Sequence, residues 1–149
     1  MKKILFLVLF SATFLSGADI FKLVQAVDRN DTVEFKQMVR TINDANTARL
    51  DNNKTILMYA SWVGNIDIVK HLVDLGANVN AQDSSNATAL HLAIWKDHTD
   101  IALFLLQKGA TSTAMSIDGM TPNDIAILRA NTPIMEAIQK AKPKLKNLL

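Results

Sequence analysis

Between residues 56 and 75, apolar side chains recur at helical spacing in two short runs. Ile56 to Val63 forms the first run, Gly64-Asn65 interrupts it, and Ile66 to Val73 resumes the period. Gly76-Ala77 then closes the second run, since glycine supplies the left-handed conformation just past a helix C-terminus at no steric cost. The same order returns one unit later, with Asp97-His98 at the break, Ile101 to Leu106 as the second run and Gly109-Ala110 at its end. The pattern predicts pairs of short helices.

The pairs keep a fixed register. Thr55-Ile56-Leu57-Met58-Tyr59-Ala60 aligns with Thr88 to Ala93 and with Thr121 to Ala126, each shifted by 33 residues, and Ala26 precedes Ala60 by 34. A small residue recurring at one helical position lets neighbouring helices approach closely, and a period of this length signals stacked repeats. Asn53, Asn86 and Gly119 stand two residues before the three threonines, and these residue types tolerate a positive φ in a tight turn. Each Thr hydroxyl is placed to cap the first helix, and Pro122 suits a first-turn position. Each unit therefore reads as turn, helix, helix, loop.

These residues resemble the ankyrin-repeat family, whose pattern runs D-x-x-G-x-T-P-L-H-x-A…G-x-x-x-I-V-x-L-L-L-x-x-G-A-D-V-N-A. Leu72-Val73-Asp74-Leu75-Gly76-Ala77-Asn78-Val79-Asn80-Ala81 follows it almost residue for residue, and Thr88 to Ala110 is the next best stretch. The resemblance implies an all-α ankyrin-repeat solenoid of four helix-turn-helix units with short β-turn or hairpin connections. The units span about 19–49, 50–82, 83–115 and 116–142 of a domain at 19–142. The first lacks the threonine and has Phe21 there, although it keeps Leu23, Ala26 and Phe35 to Val39; the last has Asn123 where Leu57 and Leu90 stand. Terminal units with a polar side stop a solenoid from stacking further, so both read as caps.

The two ends change the charge picture. Met1-Lys2-Lys3, the apolar run from Ile4 and the small residues Ser16-Gly17-Ala18 read as a signal peptide over 1–18, cut between Ala18 and Asp19. The apolar stretch reaches only to Leu15, short of the ~20 residues that a membrane span needs. The expectation is a periplasmic or secreted protein with no stable span once the leader is removed. The chain has 16 basic and 14 acidic residues, but Lys2 and Lys3 leave with the leader, and Lys140, Lys142, Lys144 and Lys146 crowd the C-terminus. Residues 143–149 form a lysine-containing tail, and residues 19–139 carry 10 basic against 14 acidic groups. A nucleic-acid footprint would need basic residues clustered on a folded face, so no nucleic-acid partner is expected. The chain has no cysteine, which excludes thiol catalysis and cysteine metal sites and suits export without disulfides.

Candidate chemistry is sparse. No G-x-S-x-G, H-E-x-x-H or glycine-rich phosphate loop occurs, and the three histidines show no metal-ligand spacing. The chain reads as a non-enzyme with no metal and no cofactor. The resemblance gives His91 a structural role at its turn; His71, mid-helix beside Lys70, reads as solvent-facing. The stronger signal is Trp62 and Trp95, the only tryptophans, seven residues after their threonines and 33 apart. The core positions of their helices are already filled by Leu57, Ala60, Leu90 and Ala93. In the family, that position, its successor and the turn residues line the concave face that grips partners. The implied partner-binding set is Trp62, Val63, Trp95, Lys96, Leu128, Arg129, Lys54 and Met120, and exposed aromatics in a row mark a contact surface. The expected product is a monomeric protein–protein interaction module. For its small exported bacterial members, the family resemblance implies a setting in oxidative-stress defence or catalase and haem support. A second reading is a small-ligand or haem carrier using His71, His91 or His98 with Tyr59, Met58 and the tryptophans.

Overall fold

The computed structural model describes residues 17–47 and 50–141. The expected leader, except for its last two positions, and the whole of the 143–149 tail lie outside the described residues. Nine α-helices form among the described residues: α1 Gly17–Asp28, α2 Thr32–Met38, α3 Ile42–Thr47, α4 Ile56–Val63, α5 Ile66–Asp74, α6 Ala89–Trp95, α7 Thr99–Gln107, α8 Pro122–Leu128 and α9 Thr132–Ala141. The helix pair expected at 56–73 therefore appears within one residue of its sequence boundaries. Helices α1, α4, α6 and α8 stack in one row, α2, α5, α7 and α9 stack in a second, and each first helix packs on its following second helix. The molecule is a two-layer helical stack.

The register explains the packing. Ala26, Ala60, Ala93 and Ala126 are all fully buried, so the first-row helices meet over a methyl group. Leu57 and Leu90 are buried beside them, and Leu23, Phe35, Ile68, Leu72, Ile101, Leu105, Ile134 and Ile138 continue one core along the stack. Asn123 is half-buried at the position of those leucines, in the last described helix pair.

Each threonine caps its helix through a reciprocal arrangement whose second member differs from unit to unit. The Thr55 N–H donates to the Met58 sulfur at 3.4 Å, the Thr88 N–H to His91 Nδ1 at 3.1 Å and the Thr121 N–H to Asp124 Oδ2 at 2.9 Å. Thioether, imidazole and carboxylate thus take the same orphan helix donor, the purpose of a capping box. At Asp124, the Thr121 hydroxyl and then its N–H hold the carboxyl below the usual carboxylate range.

The turns before the threonines close with the same spacing. The Leu50 N–H donates to the Lys54 carbonyl, Asp83 to Ala87 and Ser116 to Met120, at 2.7–3.0 Å. Asn53, Asn86 and Gly119 take φ values of 59°, 57° and 75°, as their residue types led one to expect. Successive turns are bonded to one another, Ser84 N–H to the Asn52 carbonyl and Ile117 N–H to the Ser85 carbonyl. The short hairpin-like connections implied by the resemblance take this form.

The helix α3 has no counterpart in the later units and no hydrophobic period announces it. Its start is fixed by Asp44, whose carboxylate accepts the N–H groups of Arg40 and Thr41 at 3.0 and 2.9 Å, while the Thr41 hydroxyl accepts from the Asp44 N–H. Asn46, within α3, then ties this segment to the next loop, donating to the Gly76 carbonyl and accepting from the Asn78 N–H. Asn80 repeats the tie one unit on, to the Gly109 carbonyl and the Thr111 N–H.

Candidate interaction face

Helices α4 and α6 carry Trp62 and Trp95 in their last turn at the same register position, and α8 carries Leu128 there. Core positions one face away are filled, so these side chains stay outside: Trp62 is 36% exposed, Trp95 45% and Leu128 64%. The turns set the surroundings. Lys54, in the turn before α4, places its Nζ 5.7 Å from the Trp62 ring centroid. Lys96 follows Trp95 in sequence, yet its Nζ lies 4.5 Å from the centroid of Trp62, one unit back. Two ammonium groups therefore meet a single indole, an arrangement favourable by ~0.5–1 kcal/mol each at exposed sites.

A hollow of about 240 Å³ opens beside these residues, lined chiefly by Trp62, Trp95, Leu92, Met120, Ile125 and His91, with Asp118 among its lining residues. The eight residues singled out from sequence are thus divided. Trp62, Trp95 and Met120 share the hollow, and Lys54 and Lys96 cover Trp62. Val63 is half-buried against the core. Leu128 is exposed beyond the hollow, and Arg129 is held by Asp97 through Nε–Oδ1 at 3.2 Å and a second contact from Nη2 to Oδ2. Leu92 and Asp118 were not anticipated. Leu92 had a signal in the register, because Tyr59, Leu92 and Ile125 recur 33 apart, one turn before the tryptophan row.

All three histidines bond a carbonyl of an adjacent unit. His91 is buried; because a backbone N–H can only donate, its Nδ1 is the acceptor from Thr88 and the ring proton sits on Nε2. That proton is donated to the Met120 carbonyl at 3.2 Å, and the Thr88 hydroxyl completes the set at Nδ1. His98 Nε2 bonds the Trp62 carbonyl at 3.1 Å. His71 corrects the solvent-facing expectation: it is half-buried, edge-on to Phe35 at 6.4 Å, with Nε2 2.8 Å from the Val39 carbonyl. A helical position beside an exposed lysine looks outward in the sequence, but the α2 layer packs on that side of α5. Only His91 has both ring nitrogens engaged; His71 and His98 each bond through Nε2. Among the described residues no group of three His, Asp or Glu is placed to hold a metal ion. Met58 is fully buried, and the Tyr59 hydroxyl donates to Asp28 at 2.6 Å, a bond that with burial pushes its pKa up to about 12.

Burial holds the His91 pKa below its ordinary 6.5, against the opposing pull of the Met120 and Ala114 carbonyls and Asp83. The folded state thus prefers the neutral ring while the unfolded chain takes up a proton first. The His91 contribution is complete above pH 6.5 and is lost as pH falls through the depressed folded value. Thermal unfolding between pH 8 and pH 5 should show a larger drop in midpoint for the native protein than for His91→Gln, whose side chain accepts the Thr88 N–H without titrating. Parallel curves would remove His91 as the source.

A two-layer stack of short helix pairs whose turns are bonded to one another defines a helical-repeat protein. A family model described as ankyrin repeats (3 copies) matches residues 23–116, and the chain belongs to the ankyrin-repeat family. Members of that family are generally non-enzymatic and mediate binding to other proteins, so this chain is a protein–protein interaction module. No curated protein matches it. No described helix is long and apolar enough to cross a membrane.

Proposed function

We propose that the chain is an exported ankyrin-repeat module that binds a partner protein on the face bearing Trp62, Trp95 and Leu128, the concave side of the stack. One observation carries the reading: two indoles stand exposed at equivalent positions of consecutive units while the core behind them is already closed. Lys54, Lys96, Met120, Val63 and Arg129 edge this face, Arg129 through its ion pair and Val63 through its packing. The module consists of four units, with α1–α2 and α8–α9 as terminal caps, and it works as a monomer. The amino-terminal sequence supports export to the periplasm with cleavage after Ala18, and the family resemblance supports a setting in oxidative-stress defence or catalase and haem support.

The test is capture of partners from the native periplasm by the wild type and by a Trp62→Ala, Trp95→Ala double variant. Both rings are partly exposed, so the variant is expected to unfold within a few degrees of the wild type while losing the captured partner. A folded variant that retains the same partner overturns the assignment of this face. N-terminal sequencing of the exported protein is expected to begin at Asp19.

A further inference from the structure

The tryptophan face carries a chemical polarity that selects among partners. Lys54 and Lys96 direct their ammonium groups to one indole, at 5.7 and 4.5 Å, and neither has a carboxylate within ion-pair distance among the described residues. Arg129 and Lys108, by contrast, are paired with Asp97 and Asp74. Each ammonium is attracted to the ring face, but the indole carries no formal charge and neutralises neither of them. Residues 19–139 have four more acids than bases, so this pair is a local positive site on an acidic domain. The convergence calls for an anion.

The adjoining hollow calls for something else. Its walls are mainly the rings and alkyl groups of Trp62, Trp95, Leu92, Met120 and Ile125, and both nitrogens of His91 are already engaged. Its volume of about 240 Å³ is below the ~300–1,000 Å³ of small-molecule sites and suits one large apolar side chain. Trp62 belongs to both features, so the anion and the apolar group lie close together in the ligand. At ~3.3 Å per residue of extended chain, they are neighbours or next neighbours.

We propose that the partner presents an acidic–hydrophobic segment, its Asp or Glu on Lys54 and Lys96 and its Phe, Trp, Leu or Met in the hollow between Trp62 and Trp95. This rests on the reading of the tryptophan face as the binding face. Charge complementarity identifies the segment: carboxylates answer the two ammonium groups that have no ion-pair partner among the described residues, and the apolar residue covers the exposed indoles.

Fluorescence anisotropy on the purified protein tests it with short labelled peptides carrying a Glu-Asp pair beside Phe. Matched peptides replace the acids by Gln-Asn or Lys-Lys, or the Phe by Ser. The acidic–aromatic peptide is expected to bind at least ~10-fold more tightly than each of the others, which is ~1.4 kcal/mol. That preference should shrink with added salt and vanish in a Lys54→Gln, Lys96→Gln variant of unchanged circular dichroism. Equal binding of the neutral peptide, preference for the basic one, no binding of any peptide, or tighter binding of phosphatidylglycerol vesicles overturns the proposal. The two readings fail separately. If partner capture depends on the tryptophans but peptides show no charge preference, the binding face stands and the acidic segment is wrong. If charge-selective binding survives Trp62→Ala, Trp95→Ala, the segment docks elsewhere and the assigned face is wrong.

Discussion

Gly64→Ala is expected to destabilise the protein by about 2–3 kcal/mol, measured as a lower urea midpoint at unchanged slope. Gly64 follows α4 at φ 100°, and a Cβ there would stand 2.5–2.9 Å from three ring atoms of His98. The backbone conformation alone is not the whole cost. Asp97 and Ala130 occupy the same register position with φ of 60° and 52°, so this stack accepts side chains in a left-handed residue after its first helices. What differs is the neighbour. His98 stands just before the second helix of its unit and reaches back to the Trp62 carbonyl, as Asn65 reaches back to the Val27 carbonyl and Asn131 to the Thr99 hydroxyl. The imidazole is larger than either asparagine and lies across the glycine. Two controls separate the contributions. Gly119→Ala, with φ of 75° and nothing within 4 Å of its Cβ, should cost only the ~1–2 kcal/mol of the left-handed backbone. In a His98→Asn background, Gly64→Ala should cost about as much as Gly119→Ala; full additivity of the two substitutions would show that His98 does not set the glycine.

Leu90→Ala should be the more damaging change, at about 3–4 kcal/mol. Leu90 is fully buried on α6, which packs against α4, α7 and α8, so truncation removes apolar contacts in the middle of the stack. In a quasi-one-dimensional fold each unit rests on its neighbours, and a cavity there weakens the coupling between the two halves of the stack as well as the unit itself. Leu128→Ala is the matched comparison. The residue type is the same and the helix equivalent, but Leu128 is 64% exposed, so its truncation should stay within ~0.5 kcal/mol. Similar losses at the two positions would mean that Leu128 is covered in solution by something seated on the tryptophan face.

The two leucines also show where local sequence information stops. The 33-residue register located the helix pairs, the capping threonines, the buried alanines and leucines and the positive-φ turns, because each follows from the 3.6-residue period and from the conformational freedom of Asn and Gly. The same register put Trp62 and Trp95 on the surface, since the core positions of their helices were already occupied. It missed α3, whose stability comes from side-chain caps at Thr41 and Asp44 and from the Asn46 tie to a loop some thirty residues away. It also misread His71, whose neighbour Phe35 arrives from the preceding unit.

By itself, then, the sequence determined the repeat, the family and the row of outward aromatic positions. These are properties of one unit copied along the chain, and they depend on backbone geometry that neighbouring residues set among themselves. The tertiary structure alone decided which side chains meet across units: Lys96 on Trp62 instead of its neighbour Trp95, Arg129 on Asp97, and each histidine on a carbonyl of an adjacent unit. Those pairings depend on how far one unit is rotated and displaced against the next, a quantity no periodicity encodes. Long flexible side chains such as lysine and arginine settle wherever that offset brings a ring or a carboxylate within reach.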